Sequence, residues 1–91
     1  MYTIYTRDNC SFCTKAKALL SELKLEYEEY NVFHDMDVDK FKSIVLPYLR
    51  VDQAVTVPQI FDDGTYVGGY DELTRYVVKM RGINNGSEDS I

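Results

Sequence analysis

Near the N-terminus the hydrophobic period changes from two to about 3.6, and both cysteines of the chain sit at the change. Tyr2 to Thr6 alternates β-branched and aromatic side chains and reads as a strand. Asp8-Asn9 is turn chemistry. Cys13, Ala16, Leu19, Leu20 and Leu23 then recur at three- and four-residue spacing, which predicts an amphipathic helix over 11–24. Strand, turn and helix in that order put Cys10 at the helix mouth and Cys13 on the buried stripe.

The junction also carries chemistry. A thiol at a helix N-terminus meets unpaired backbone N–H groups and the positive end of the helix dipole, so its thiolate is favoured and its pKa is expected below the free value of roughly 8.5. A second cysteine one turn later can attack the disulfide that the first one forms. Arg7 precedes the pair, Lys15 and Lys17 follow it, and no acid occurs on the helix before Glu22. That polarity is wrong for the helix alone, and it is expected to help hold an anion at Cys10. The plainer alternative is a solvated basic face.

The rest of the chain fills in the sheet. A second strand is expected over 26–32, with Glu26, Glu28 and Glu29 on a solvated face. Asp35 or Asp37 is placed to cap a second helix whose inward residues are Val38, Phe41, Ile44, Val45 and Tyr48, ending or kinking before Pro47. Arg50 to Val55 is a connector. Val57 to Phe61 reads as the third strand, Asp62-Asp63-Gly64 as a hairpin turn and Thr65 to Val67 as the fourth strand. Asp71 is expected to cap a third helix with Leu73, Tyr76, Val77 and Met80 inward and Gly82 as its stop. The order β-α-β-α-β-β-α, with two β-α-β crossovers, implies a mixed four-stranded sheet with helices on both faces. One domain over 1–82 and a flexible tail over 83–91 follow.

Several function classes are excluded. A net charge of −5 argues against a general nucleic-acid binder. No apolar run approaches the roughly 18 residues of a membrane span. Met1 leads straight into the first strand with no basic leader, so a cytoplasmic protein is expected, where thiols stay reduced and C-x-x-C means redox or metal chemistry. Structural zinc wants four ligands, whereas the chain offers two cysteines and one histidine, His34, which reads as a loop residue.

Three motifs in order, Cys10-Ser11-Phe12-Cys13, Thr56-Val57-Pro58 and Gly68-Gly69-Tyr70-Asp71, make residues 1–82 resemble a dithiol glutaredoxin of the thioredoxin-like α/β fold. The resemblance implies a glutathione-dependent reductase of disulfides and of protein–glutathione mixed disulfides. It makes Cys10 the attacking thiolate and Cys13 the resolving thiol. Pro58 matches the family's cis-proline, which would present the Val57 backbone as a short strand edge to glutathione. Arg7 resembles the family's contact to a glutathione carboxylate, and Phe12 stands where a tyrosine is usual. Gly69, Tyr70 and Asp71, with Glu72 beside them, would bind the γ-glutamyl end, where glycines admit backbone, helix N–H groups suit a carboxylate and Asp71 suits an ammonium, and Thr56 of the second motif would be a further glutathione contact. Arg50 and Gln53 are candidates for one further polar contact.

Two departures bear on this. Ser11 replaces the usual proline after the first cysteine, where it could cap the helix or donate toward sulfur, and glutaredoxins with serine there include carriers of a [2Fe–2S] cluster held between two protomers and two glutathiones. In such a form Cys10 would be the metal ligand; otherwise no metal and a monomer are expected. The long segment 33–55 is similar to that of compact virus-encoded glutaredoxins that supply electrons to ribonucleotide reductase, which makes that enzyme a partner the resemblance implies. A thioredoxin-like protein that takes electrons from a reductase and ignores glutathione is the third reading.

Overall fold

A computed structural model describes residues 1–81 of the chain, so the expected stop at Gly82 and the tail over 83–91 lie outside the described residues. The elements run β1 (Tyr2–Thr6), α1 (Ser11–Glu22), β2 (Tyr27–Asn31), α2 (Val38–Val45), a 3-10 turn (Leu46–Tyr48), β3 (Gln59–Asp62), β4 (Thr65–Gly68) and α3 (Tyr70–Arg81). The sheet order is β2-β1-β3-β4. β1 runs parallel to β2, with Tyr2 opposite Tyr27, and antiparallel to β3, with Ile4 opposite Ile60. β3 and β4 form the antiparallel hairpin, with an irregularity between Ile60 and Phe61.

The expected β-α-β-α-β-β-α order is therefore present, but only its first crossover joins parallel strands. β3 lies on the far side of β1 and runs against it, so the β2-α2-β3 connection returns antiparallel. The strand period explains the layers. Ile4 and Ile60 point to one face, where Ala16 and Leu20 of α1 meet Leu73 and Val77 of α3, all 3% exposed or less. The alternate residues Tyr5 and Phe61 point to the other, where Val32, Phe41 and Val45 lie.

Boundaries differ from the sequence reading for identifiable reasons. Helix α1 stops before Lys24 because that residue takes a left-handed φ of 58°. Strand β2 is two residues shorter than expected, at Tyr27–Asn31 rather than 26–32, because the Asn31 carbonyl already accepts from Asp35 N–H, which turns the chain. β3 begins at Gln59, not Val57: Pro58 has no N–H for the ladder, and the Val57–Pro58 bond is cis. β4 continues one residue further than expected, to Gly68. The Asp63-Gly64 turn has positive φ at both residues, 49° and 90°, as a tight right-twisted hairpin requires.

Of the two candidate caps for α2, Asp37 does the work: its side chain accepts from Asp39 N–H at 2.9 Å. Pro47 falls in the 3-10 turn directly after α2, as its missing N–H dictates. Tyr48 is not core but 51% exposed, stacked on Tyr66 with centroids 5.0 Å apart. Helix α3 starts two residues earlier than a cap at Asp71 would give, at Tyr70, so Asp71 belongs to its first turn and is not the cap. Met80, expected to face in, is 60% exposed.

One polar contact inside this frame has a measurable consequence. Tyr76 of α3 donates its hydroxyl to Asp62 Oδ2 at the end of β3, at 2.7 Å. That bond to a carboxylate, with partial burial, pushes the phenol up from 10.0 to about 12. A raised folded-state pKa means the stabilisation is complete below pH 10 and is lost as pH rises toward 12. Burial also raises Tyr5 and Tyr66, in the same sense. Urea midpoints measured from pH 8 upward are expected to fall above pH 10, and to fall less steeply in Tyr76→Phe, which starts from a lower plateau.

Candidate active site

The helix mouth is built by its own sequence. Asn9 takes a left-handed φ of 56°, which turns the chain out of β1, and Cys10 follows in extended conformation as the N-cap of α1. The cap is the sulfur itself: Cys13 N–H donates to Cys10 Sγ at 3.2 Å. The Cys10 carbonyl accepts the first helical bond, from Thr14 N–H, at 3.1 Å. Ser11 is thus the first helical residue and not the cap. Cys10 and Cys13 are joined as a disulfide with Cα atoms 5.2 Å apart. Cys10 is half-buried and Cys13 only 2% exposed, the division that the stripe on α1 predicted.

The cations around Cys10 are less free than the sequence implied. Lys17 is taken by Glu29, Nζ to Oε2 at 3.0 Å. Glu29 is exposed, as expected of a solvated strand face, and it also accepts from the buried Thr6 hydroxyl at 2.7 Å. Lys15 lies over the Phe12 ring, 5.2 Å from its centroid. Arg7 remains exposed at the mouth, its Nη1 3.4 Å from the Asp8 carbonyl. What chiefly favours an anion on Cys10 is therefore the helix end and the Cys13 N–H.

His34 is an exposed loop residue, as expected, and it contacts the turn ahead of Cys10. Its Nε2 lies 2.9 Å from Asp8 Oδ2, and Asn31 Nδ2 donates to the other Asp8 oxygen at 3.0 Å. The His34 hydrogen bond, then its charge, hold the Asp8 carboxyl below the usual carboxylate range. The β2–α2 connection and the cysteine turn are thereby tied together.

Two hollows flank Val57, whose carbonyl lies 3.9 Å from Cys10 Sγ. One, of about 170 Å³, is walled by Phe12, Thr56, Val57, Pro58, Gly69, Tyr70, Asp71 and Glu72. Phe12 and Tyr70 line it with ring centroids 6.0 Å apart, and Tyr70 also packs on the core, so it serves both roles. Glu72 caps α3 from within: its Oε1 accepts the Gly69 N–H at 2.9 Å, half of a capping box. Gly68 sits at φ 120°, where a Cβ would come within 2.9 Å of the Glu72 side chain, so no larger residue fits that turn undisturbed.

The second hollow, of about 370 Å³, lies across Thr56 and Val57 from the first and holds Arg7 with Lys42 over Val32, Phe33 and Phe41. Arg7 is thus brought to the Val57 side away from Asp71. Lys42 went unnoticed in the sequence, although it stands four residues after the inward Val38 and so shares its helix face. Of the two further polar candidates, Gln53 lines a polar hollow with Thr56, Gln59 and Tyr66. Arg50 instead turns to Asp52, at 3.8 Å. Gln59 is buried, accepts the Tyr66 hydroxyl at 2.6 Å and reaches Thr56 Oγ1 at 3.4 Å, which braces the segment between the two hollows. Among the described residues no group of three or more His, Cys, Asp or Glu converges as a metal site, and no helix is long and apolar enough to cross a membrane.

Comparison with known proteins bears on this arrangement. The Glutaredoxin family model matches residues 2–67. The chain is similar to Glutaredoxin 3 of Escherichia coli K12, 35% identical over 79 residues that cover 87% of this chain and 86% of the relative. It is also similar to part of the Hybrid peroxiredoxin hyPrx5 of Haemophilus influenzae, 36% identical over 74 residues, which make up 81% of this chain but only 28% of that longer protein. Among solved structures, a buckwheat glutaredoxin–glutathione complex shares the fold at a TM-score of 0.70 and 23% identity, over 89% of this chain and 69% of that one.

Proposed function

Because this chain belongs to the glutaredoxin family of thiol–disulfide oxidoreductases, we propose that it uses glutathione as the reductant and acts on protein disulfides and glutathione mixed disulfides. The observation that carries this reading is the pair of hollows on either side of Val57, one rimmed by a carboxylate and a helix start, the other by two cations. Glutathione has an ammonium and a carboxylate at its γ-glutamyl end and a single carboxylate at its glycyl end. Asp71 and the N–H groups of Tyr70 and Asp71 at the start of α3 suit the first end. Gly69 N–H is already taken by Glu72, so Glu72 supports the loop and leaves the ligand to its neighbours. Arg7 and Lys42 suit the second end. Between them the cysteinyl part lies along the Val57 backbone with Phe12 beside it, its sulfur toward Cys10.

The reaction follows as two exchanges. Cys10 thiolate attacks a mixed disulfide and the substrate thiol leaves. Either a second glutathione or Cys13 then attacks the Cys10 sulfur. Proteins that carry exposed disulfides or glutathionylated cysteines form the substrate class, ribonucleotide reductase among them by family resemblance. Asp71→Asn and Arg7→Ala are each expected to raise KM for a small glutathione mixed disulfide by about tenfold, the scale of one charge-assisted contact, with kcat little changed. Steady-state kinetics at saturating reductase check this; unchanged KM in both variants would refute the placement of glutathione.

A further inference from the structure

We infer that Glu29 accepts the proton that Cys13 must give up when it closes on Cys10. The inference rests on the dithiol reading above and concerns its second exchange. Cys13 is 2% exposed, and burial disfavours the thiolate that the attack requires. The buried thiol therefore needs a local route for its proton.

A polar hollow of about 530 Å³ has Cys10, Cys13, Thr14, Lys17, Glu29 and Asn31 in its wall, together with Arg7 and Asp8. Lys17 stands four residues after Cys13, on the same face of α1, and long helical side chains lean toward the N-terminus. The Lys17–Glu29 ion pair thereby lines the same hollow as Cys13, with both side chains about one-third exposed. Thr6, 1% exposed, and Lys17 both donate to Glu29 Oε2, at 2.7 and 3.0 Å, which fixes the carboxylate and leaves Oε1 to accept. The other ionisable groups of the hollow do not compete. Both Asp8 oxygens are engaged, by Asn31 and by His34, while Arg7 and Lys17 only donate.

The step balances. The Cys13 thiol passes its proton to Glu29 Oε1 across the hollow, which has room for a bridging water. Cys13 Sγ then bonds to Cys10 Sγ, the bond from Cys10 to the substrate sulfur breaks, and the electron pair leaves with that sulfur as a thiolate. The Cys13 sulfur is oxidised from thiol to disulfide, the substrate sulfur is reduced from disulfide to thiolate, Cys10 stays at the disulfide level, and Glu29 returns the proton to solvent, where the thiolate can take it up.

Stopped-flow mixing of the reduced protein with excess glutathione disulfide separates the two exchanges, as formation of the Cys10–glutathione disulfide and then release of glutathione by Cys13. Glu29→Gln is expected to slow the release at pH 7 by about a hundredfold, the low end of general-base effects, and to move its pH profile upward. Glu29→Asp is expected to restore most of the rate. A release phase in Glu29→Gln with the wild-type rate and pH profile would overturn the inference. So would equal slowing of both phases, the mark of a merely structural role. No first phase in the wild-type protein would overturn the glutathione reading, and this inference with it.

Discussion

Replacing Cys10 by serine is expected to remove turnover of every disulfide substrate, by at least about a thousandfold, because no other group can form the covalent sulfur intermediate. The structure gives the two cysteines unequal positions: one caps a helix at the surface, the other is sealed beneath it. A serine hydroxyl at the cap can still accept the Cys13 N–H, so the fold should survive and the loss is one of chemistry. Cys13→Ser is expected to behave differently. It should keep turnover of glutathione mixed disulfides, since a second glutathione can resolve Cys10, and lose reduction by the dithiol route. Retained turnover in Cys10→Ser, measured with both substrate types, would show that the nucleophile is misassigned.

The second large effect is on stability. Leu20 is fully buried between α1, the sheet and α3, in the same cluster as Ile4, Ile60 and Leu73. Its truncation to alanine removes apolar contacts and leaves a cavity that rigid neighbours on three sides cannot close, at a cost of about 2–5 kcal/mol. A small domain holds only about 5–15 kcal/mol in total. With a slope of roughly 1–3 kcal/mol per molar urea, the midpoint should fall by about 0.7 M or more. Exposed Met80, which the helical spacing would have placed in the core, is the matched control: Met80→Ala should move the midpoint by little. A Leu20→Ala midpoint within a few tenths molar of wild type would contradict the packing described.

The parts of this protein that were legible in advance are those where a local period or a special residue decides the outcome. β1 and the start of α1 follow from alternation and from the i, i+3, i+4 stripe, the hairpin from Asp63-Gly64, and the end of α2 from Pro47. The direction of β3 was not legible, because strand sense is set by which edge of β1 it pairs with, a tertiary choice. Lys15 and Lys17 show a second limit. As letters they are cations near a thiol, yet Glu29 on another strand and Phe12 on the same helix decide where their charges rest. Tyr48 and Met80 show a third, since helical spacing names a face but not how far the neighbouring element covers it. The candidate site was readable from its three motifs, while Lys42, Gln59 and the Asp8–His34 contact needed the chain to be folded.

Glutathione is the proposed electron source for Cys10. Turnover of a small glutathione mixed disulfide, followed by NADPH consumption with glutathione and glutathione reductase, tests it directly. Sustained consumption with that system, and none when thioredoxin reductase replaces both components, is the expected result. Turnover that depends on thioredoxin reductase and ignores glutathione would contradict it.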